Sequence, residues 1–223
     1  MVSFFIHYDG TAVGREKRQK GFVMQRTKTH SLVFAAMMVA LSFVLSCAKL
    51  QEMPMGGSIT VGSMLPLMIL AIGKGEKWGF GGAFVASLFQ LLQAVVEANV
   101  FPYCETPLTL IVCILFDYLV PFTMIGLAGV FRHISFGKLR HGGVYLGITL
   151  VCVIRFICHY VTGVVIWGQW APDGMGKFLY SLLYNGEYML PELAITLVLA
   201  VCLLESPEIQ KIIGLSVDKR EEK

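Results

Sequence analysis

Arg155, His159, Gly163 and Trp167 stand four residues apart in "RFICHYVTGVVIWGQW", an otherwise apolar run. Positions i and i+4 share a helix face, so this spacing predicts one slowly drifting stripe directed into a bundle and away from lipid. At ~1.5 Å of rise per residue, Trp167 would lie about 12 Å beyond His159, the length of a small bicyclic ligand, with Gly163 leaving room between them. Asp117 lies in "CILFDYLVPF", next to Tyr118. A carboxylate in such surroundings is neutralised unless a cation or a hydrogen-bond donor meets it. Further on, "LYSLLYNGEYMLPE" sets Tyr180, Tyr184 and Tyr188 at four-residue intervals around Asn185 and Glu187. Carboxylate, imidazole, indole, phenols and amide together describe a pocket for a planar cation with polar edges, held partly by cation–π attraction.

Structural readings of the same residues stand beside this one. Arg155 and His159 could pair with carboxylates on neighbouring helices, and Trp167, Trp170 and the tyrosines could form an interfacial belt. For Arg155 the expectation is an ion pair with Glu192 or Glu187, and for Trp170 a place in the belt. For His159 it is contact with a ligand. A girdle accounts for the tyrosines but not for Asn185 or Glu187.

The elements that must position these groups follow from hydropathy. The 223 residues are 56% apolar and only 15% charged, with a mean hydropathy of +0.69, the profile of an integral membrane protein. Apolar stretches at 31–50, 58–73, 79–97, 107–131, 142–168 and 179–204 mostly reach the roughly 20 residues that cross a bilayer, which predicts six helices in an all-α membrane protein. Continuous apolar runs argue against barrel strands, whose hydropathy alternates. Fifteen Lys and Arg fall before the first segment, in the second and fourth connections and in the tail; only Lys49 and Lys177 fall in the opposite connections. That bias predicts both termini in the cytoplasm. The expected organisation is a disordered basic N-terminal extension over 1–28, a six-helix substrate-binding domain over 29–205 and a cytoplasmic tail over 206–223.

Several function classes are set aside. The basic residues sit in short loops with no interleaved aromatic platform, so no nucleic acid is implied. "AIGKGEKWGFGG" lacks P-loop spacing, so this chain does not hydrolyse ATP by itself. The six cysteines form no C-x-x-C pair, which argues against a metal or disulfide role, and no cofactor is expected. The N-terminus lacks the apolar core of a signal peptide. An intramembrane enzyme using His159 with Asp117 or Glu187, and a stand-alone ion-coupled carrier, remain as rivals to a binding protein that works with lipid around it and partners beside it.

The stretch "RFICHYVTGVVIWGQWAPDGMGKFLYSLLYNGEYMLPE", with "DYLVPFTMIGLAGVFR" and "ITVGSMLPLMILAIGKG", resembles the thiamine-specific S component of energy-coupling factor (ECF) transporters, the ThiT/YuaJ family, over about residues 31 to 204. The resemblance implies a plasma-membrane protein of bacteria that is not an enzyme. It would bind thiamine with high affinity from outside and work with a transmembrane coupling subunit and two cytoplasmic ATPases. Carried over by position, His159, Trp167, Tyr180 and Asn185 would line the thiamine pocket with Tyr118 beside them, and Asp117 stands where the family has glutamate. Tyr184, Glu187 and Tyr188 are further candidates. The alanine pattern Ala36 and Ala40 would dock on the coupling subunit, or pack internally. Gly143 and Gly147 are expected to serve packing. The family's pocket tryptophans of helices 2 and 3 are missing: those regions read "MPMGGS" and "SLFQLLQ", so Met53, Met55, Phe89 or Gln90 would fill the space. An S component for a different heteroaromatic vitamin is the nearest alternative.

Overall fold

A chain segment in hydrocarbon must satisfy its own backbone, which is why the long apolar runs of this sequence become helices. The computed structural model describes residues 10–98, 100–136 and 141–215, with 10–27 described by backbone alone. The chain divides into compact units of residues 1–34 and 35–223; helix α1 (Gly10–Cys47) starts in the first and runs on into the second. A hairpin follows, β1 (Lys49–Glu52) against β2 (Ser58–Thr60), then α2 (Leu65–Lys74), α3 (Glu76–Glu97), α4 (Pro107–Cys113), α5 (Val120–Thr123), α6 (Gly142–Val165), α7 (Lys177–Leu204) and α8 (Pro207–Ile213).

Five stretches are long and apolar enough to cross a membrane among the described residues: Lys28–Cys47, Glu76–Glu97, Pro107–Gly129, Gly142–Val165 and Lys177–Leu204. They expose large apolar side chains such as Leu92, Val96, Leu108, Leu190 and Val198, as lipid-facing helices do. The expected sixth span, 58–73, is different. Its first part is β2 and a turn, and only Leu65–Lys74 is helical, so α2 is a half-length helix and the bundle is helical with one antiparallel hairpin rather than all-α. The physical reason is burial. Leu67, Met68, Leu70, Ala71 and Ile72 are 0–1% exposed, so α2 is sheathed by protein, where a short helix and irregular backbone are tolerated at membrane depth.

The packing around α2 depends on close backbone approach. A Cβ on Gly143 would come within 2.0 Å of Phe131 O, and one on Gly147 within 2.2 Å of Ala128 O, so both glycines serve packing as expected. Val39 of α1 joins this core and Ala35 is buried, while Ala36 and Ala40 lie on the exposed face of the helix. At the far end of α2, Arg132 Nη1 donates to Ile72 O at 2.7 Å, and Ile213 of α8 packs against Gly73. Part of the expected tail is thus folded onto the bundle. Residues 1–9 of the expected extension, 216–223 of the tail, and Lys138, Arg140, Lys219, Arg220 and Lys223 of the orientation set lie outside the described residues; α1 is helical from Gly10.

Candidate functional site

The fourth span is not a uniform helix. Pro121 has no N–H to give the carbonyl of Asp117, and the ladder opens into a π-helical turn over Ile114–Leu119 in which Val120 N–H reaches back to Leu115 O. Asp117 and Tyr118 lie on this widened turn. Opposite them, α6 ends at Val165 and the chain tightens into a 3₁₀ turn, Trp167–Trp170. Trp167 therefore does not continue the α6 stripe, as its spacing predicted, but is swung back toward the fourth span.

Asp117 gathers three donors. Its Oδ1 lies 3.0 Å from His159 Nδ1 and also accepts from Thr162 Oγ1, and its Oδ2 accepts from Trp167 Nε1 at 3.4 Å. With a carboxylate opposite, Nδ1 is the donor nitrogen of the imidazole, and a neutral ring then has an acceptor at Nε2. That Nε2 is buried without a hydrogen-bond partner among the described residues. Aromatic rings close the outer edge: Tyr103 meets Trp167 edge-on at 6.1 Å and Trp170 at 5.4 Å, and Phe101 tilts against Tyr118 at 5.8 Å.

The hairpin and α7 build the opposite wall. Tyr184 OH donates to Gly56 O at 3.1 Å and accepts from Met55 N–H at 2.9 Å. Gly57, at φ +88°, sits so close to the Tyr188 ring that a Cβ would come within 2.9 Å of it; conformation and space both call for glycine here. Tyr188 OH donates to Asn185 Oδ1 at 2.9 Å, and Asn185 Nδ2 donates to His159 O at 3.2 Å and Ser181 O at 2.9 Å. Glu192 anchors β2: Thr60 N–H and Thr60 Oγ1 donate to its two oxygens at 2.6 and 2.7 Å. At the mouth, Lys49 bridges Glu52 at 2.8 Å and Glu97 at 2.9 Å, which fastens the hairpin to the end of α3. Burial works to lower the Lys49 pKa, but its hydrogen bonds to Glu52 and Glu97 prevail and hold it above the usual lysine value.

These walls line a partly open cavity of about 150 Å³. Four carboxylates line it (Glu52, Glu97, Asp117 and Glu192) against two permanent cations, Lys49 and Arg155. The hollow is electronegative overall and walled with aromatic side chains, a chemistry that favours a flat cation with hydrogen-bonding edges.

Asp117, Tyr118, His159 and Trp167 all line the cavity, as do Tyr184 and Tyr188. Asn185 lies behind the wall, buried, where it holds the His159 carbonyl and the Tyr188 hydroxyl. Tyr180 packs on Tyr184 at 5.7 Å and points its hydroxyl at Met55 Sδ, 3.7 Å away, outside the lining. Glu187 is on the exposed face of α7, away from the cavity, because Tyr184 and Tyr188 take the inward positions on either side of it. Gly163 is not vacant space: Ser181 and Asn185 fill it, and a Cβ would stand 2.0 Å from Ser181 Oγ.

Arg155 corrects a further expectation. It is buried and lines the cavity, yet neither Glu192 nor Glu187 pairs with it; its guanidinium lies over the Phe122 ring at 4.7 Å and Nη1 contacts Met64 Sδ. Sequence reasoning missed Thr60, Ser63 and the charged mouth, because their role depends on a hairpin that hydropathy read as helix. Of the four residues expected to replace the tryptophans, Met55 and Gln90 line the cavity, Met53, outside the lining, is buried with Ile59, Tyr188 and Met189, and Phe89 packs on Phe43 at 5.5 Å.

The chain matches the family described as "Thiamine transporter protein (Thia_YuaJ)" over residues 32–211. It is 28% identical over 190 residues to the thiamine transporter ThiT of Bacillus subtilis (strain 168), spanning 81% of this chain and 93% of that relative. The thiamine transporter ThiT of Lacticaseibacillus paracasei is 29% identical over 150 residues, 63% of this chain and 70% of its own length. A solved structure of ThiT from Listeria monocytogenes shares the fold with a TM-score of 0.64 at 24% identity, over 82% of this chain and 98% of that one.

Proposed function

This chain belongs to the thiamine transporter protein (Thia_YuaJ) family, as a multi-pass protein of the bacterial cell membrane, and from that premise we propose that it is the high-affinity thiamine-binding S component of an ECF-type uptake system. The observation that carries this reading is Asp117, drawn by His159, Thr162 and Trp167 onto the wall of an electronegative, aromatic cavity. Thiamine carries a flat cationic thiazolium ring joined through a methylene to an amino-bearing pyrimidine ring. Asp117 and the His159 ring would meet its polar edge, while Trp167, Tyr118, Tyr184 and Tyr188 enclose the rings. A largely preformed hollow of this kind supports nanomolar binding, roughly −12 kcal/mol.

Transport would require partners, a transmembrane coupling subunit and two cytoplasmic ATPases. Ala36 and Ala40, outward on α1, supply a small-residue face on which the coupling subunit could approach closely. No bond is made or broken by this chain. Both termini would lie in the cytoplasm and the cavity would open outward.

Titration of the purified protein with thiamine, followed by Trp fluorescence and calorimetry, tests the assignment: saturable quenching with heat is expected. Met55 and Gln90 in the lining favour one alternative, a different heteroaromatic vitamin. A response to that vitamin with silence toward thiamine would replace the present reading. In proteoliposomes the chain alone should bind without concentrating thiamine; uphill uptake in the absence of ATPases would mark it as an ion-coupled carrier.

A further inference from the structure

The connection between α3 and α4, residues 98–106, carries no Lys or Arg, which places it outside the cell in the orientation proposed above. It folds into a 3₁₀ turn, Phe101–Tyr103, closed by Cys104 N–H on Phe101 O at 3.0 Å. The turn lies along the span that bears Asp117. Phe101 tilts against Tyr118 at 5.8 Å, and Cys104, further along the turn, packs into the same apolar cluster as Cys113, further back along the span. The two segments therefore run antiparallel, and their sulfurs meet: the Cys104 and Cys113 thiols are hydrogen-bonded to each other. Cys113 is 0% exposed and Cys104 is half-buried. Neither lines the cavity, so ligand binding does not account for the pair. Cys113 stands one helical turn before Asp117, and its thiol also reaches that carboxylate. No C-x-x-C spacing announces the two cysteines, because the fold and not the sequence brings them together.

We infer that Cys104 and Cys113 are a modification site, a thiol pair that closes to a disulfide and pins the turn at Phe101–Tyr103 onto the outer edge of the cavity. Extracellular surroundings sustain such bonds, and the oxidant is a low-molecular-weight disulfide. Cys104, the more accessible sulfur, attacks it as the thiolate; a mixed disulfide forms and one external thiolate leaves. The Cys113 thiolate then attacks the Cys104 sulfur, and the second external thiolate leaves. Two protein thiols are oxidised, one external disulfide is reduced to two thiols, and the protons given up by the cysteines end on the departing sulfurs. Burial holds the Cys104 pKa above the usual thiol value, so this exchange is slow at neutral pH and quickens as the pH rises. The bond acts on the cavity in two ways. Tyr103, next to Cys104, stands edge-on to Trp167 and Trp170, so a fixed turn holds that ring in place. Oxidation also withdraws the Cys113 S–H from Asp117, which leaves the carboxylate freer for a cation. Both effects slow ligand release. That consequence rests on the thiamine reading, whereas the existence of the bond does not.

The test uses the full-length protein in detergent, held at about pH 8.5 with either oxidised glutathione or dithiothreitol and then digested without reduction. Chymotrypsin cuts at Leu108 and Leu110, between the two cysteines. Mass spectrometry of the oxidised sample should find peptides joined through Cys104 and Cys113, and dithiothreitol should separate them. Free thiols at both positions, or glutathione left on Cys104 with Cys113 unreacted, would overturn the site. Stopped-flow fluorescence then reads its consequence. Thiamine should leave the oxidised protein at least about threefold more slowly than the reduced one, and Cys104→Ala should bind thiamine but ignore the oxidant. An unchanged off-rate with the bond in place would overturn the pinning. A protein that ignores thiamine in both redox states would end the thiamine reading, and the digest would still decide whether the bond forms.

Discussion

The half of the bundle around α2 and the half around Asp117 are built from opposite materials. Around α2 the packing is dry, and Gly129, Gly143 and Gly147 each lie so close to a carbonyl oxygen that a Cβ would stand 2.0 to 2.6 Å from it. Around Asp117 the backbone is irregular, with a π-turn, a 3₁₀ turn and a hairpin, and the side chains are polar or aromatic. The first half tolerates no added volume; the second holds an open hollow against surrounding polar groups. The contrast teaches that a rigid apolar base lets a membrane protein keep unusual backbone and charge at its working end.

The contrast can be broken most severely at the dry end. Gly147→Val would drive a side chain into the Ala128 carbonyl and is expected to cost about 3 kcal/mol or more, read as a fall in thermal midpoint or loss of the monomer peak in detergent. An unchanged midpoint would mean that this packing is looser than described. At the working end the losses should fall on binding instead. Asp117→Asn removes one acceptor from a group that meets three donors, and thiamine affinity should fall at least about tenfold, or about 1.4 kcal/mol, with the thermal midpoint nearly kept. Trp167→Ala should weaken binding to a similar degree; wild-type affinity in either variant would remove that residue from the site. Glu192→Gln keeps the shape but cannot accept from both Thr60 donors, so the hairpin should loosen and ligand dissociation quicken by roughly threefold to tenfold. Stopped-flow fluorescence would read this, and an unaltered off-rate would uncouple the hairpin from ligand retention. Trp170→Ala should change affinity by less than about twofold, since Trp170 packs behind Trp167 and Tyr103 without lining the cavity.

Much of the site was legible in the sequence because charges in apolar runs are costly enough to be conspicuous. Asp117 and His159 were marked by that rule and Trp167 by its spacing from His159, and the three meet at the Asp117 carboxylate. Glu187 obeyed the same rule and points outward, because hydropathy identifies a span without fixing which side of it faces lipid. Arg155 was legible as a buried charge, but its partner was not: ion pairing depends on positions across helices that no spacing along one helix encodes. The stretch 58–73 was read as one helix although only Leu65–Lys74 is helical, because a fully buried half-helix and a lipid-facing helix are equally apolar, and the difference lies in what surrounds them.

The sequence by itself determined that this is a membrane protein with long apolar helices, and it marked the carboxylate, imidazole and indole that carry the candidate site. Those properties are local: solvation of each segment dictates them. Only the tertiary structure decided that Trp167 turns back onto Asp117, that the hairpin is tied to Glu192 and Glu97, and that Arg155 lines the cavity without pairing with Glu187 or Glu192. Each of these depends on groups brought together from distant parts of the chain, where geometry, rather than hydropathy, assigns donors to acceptors.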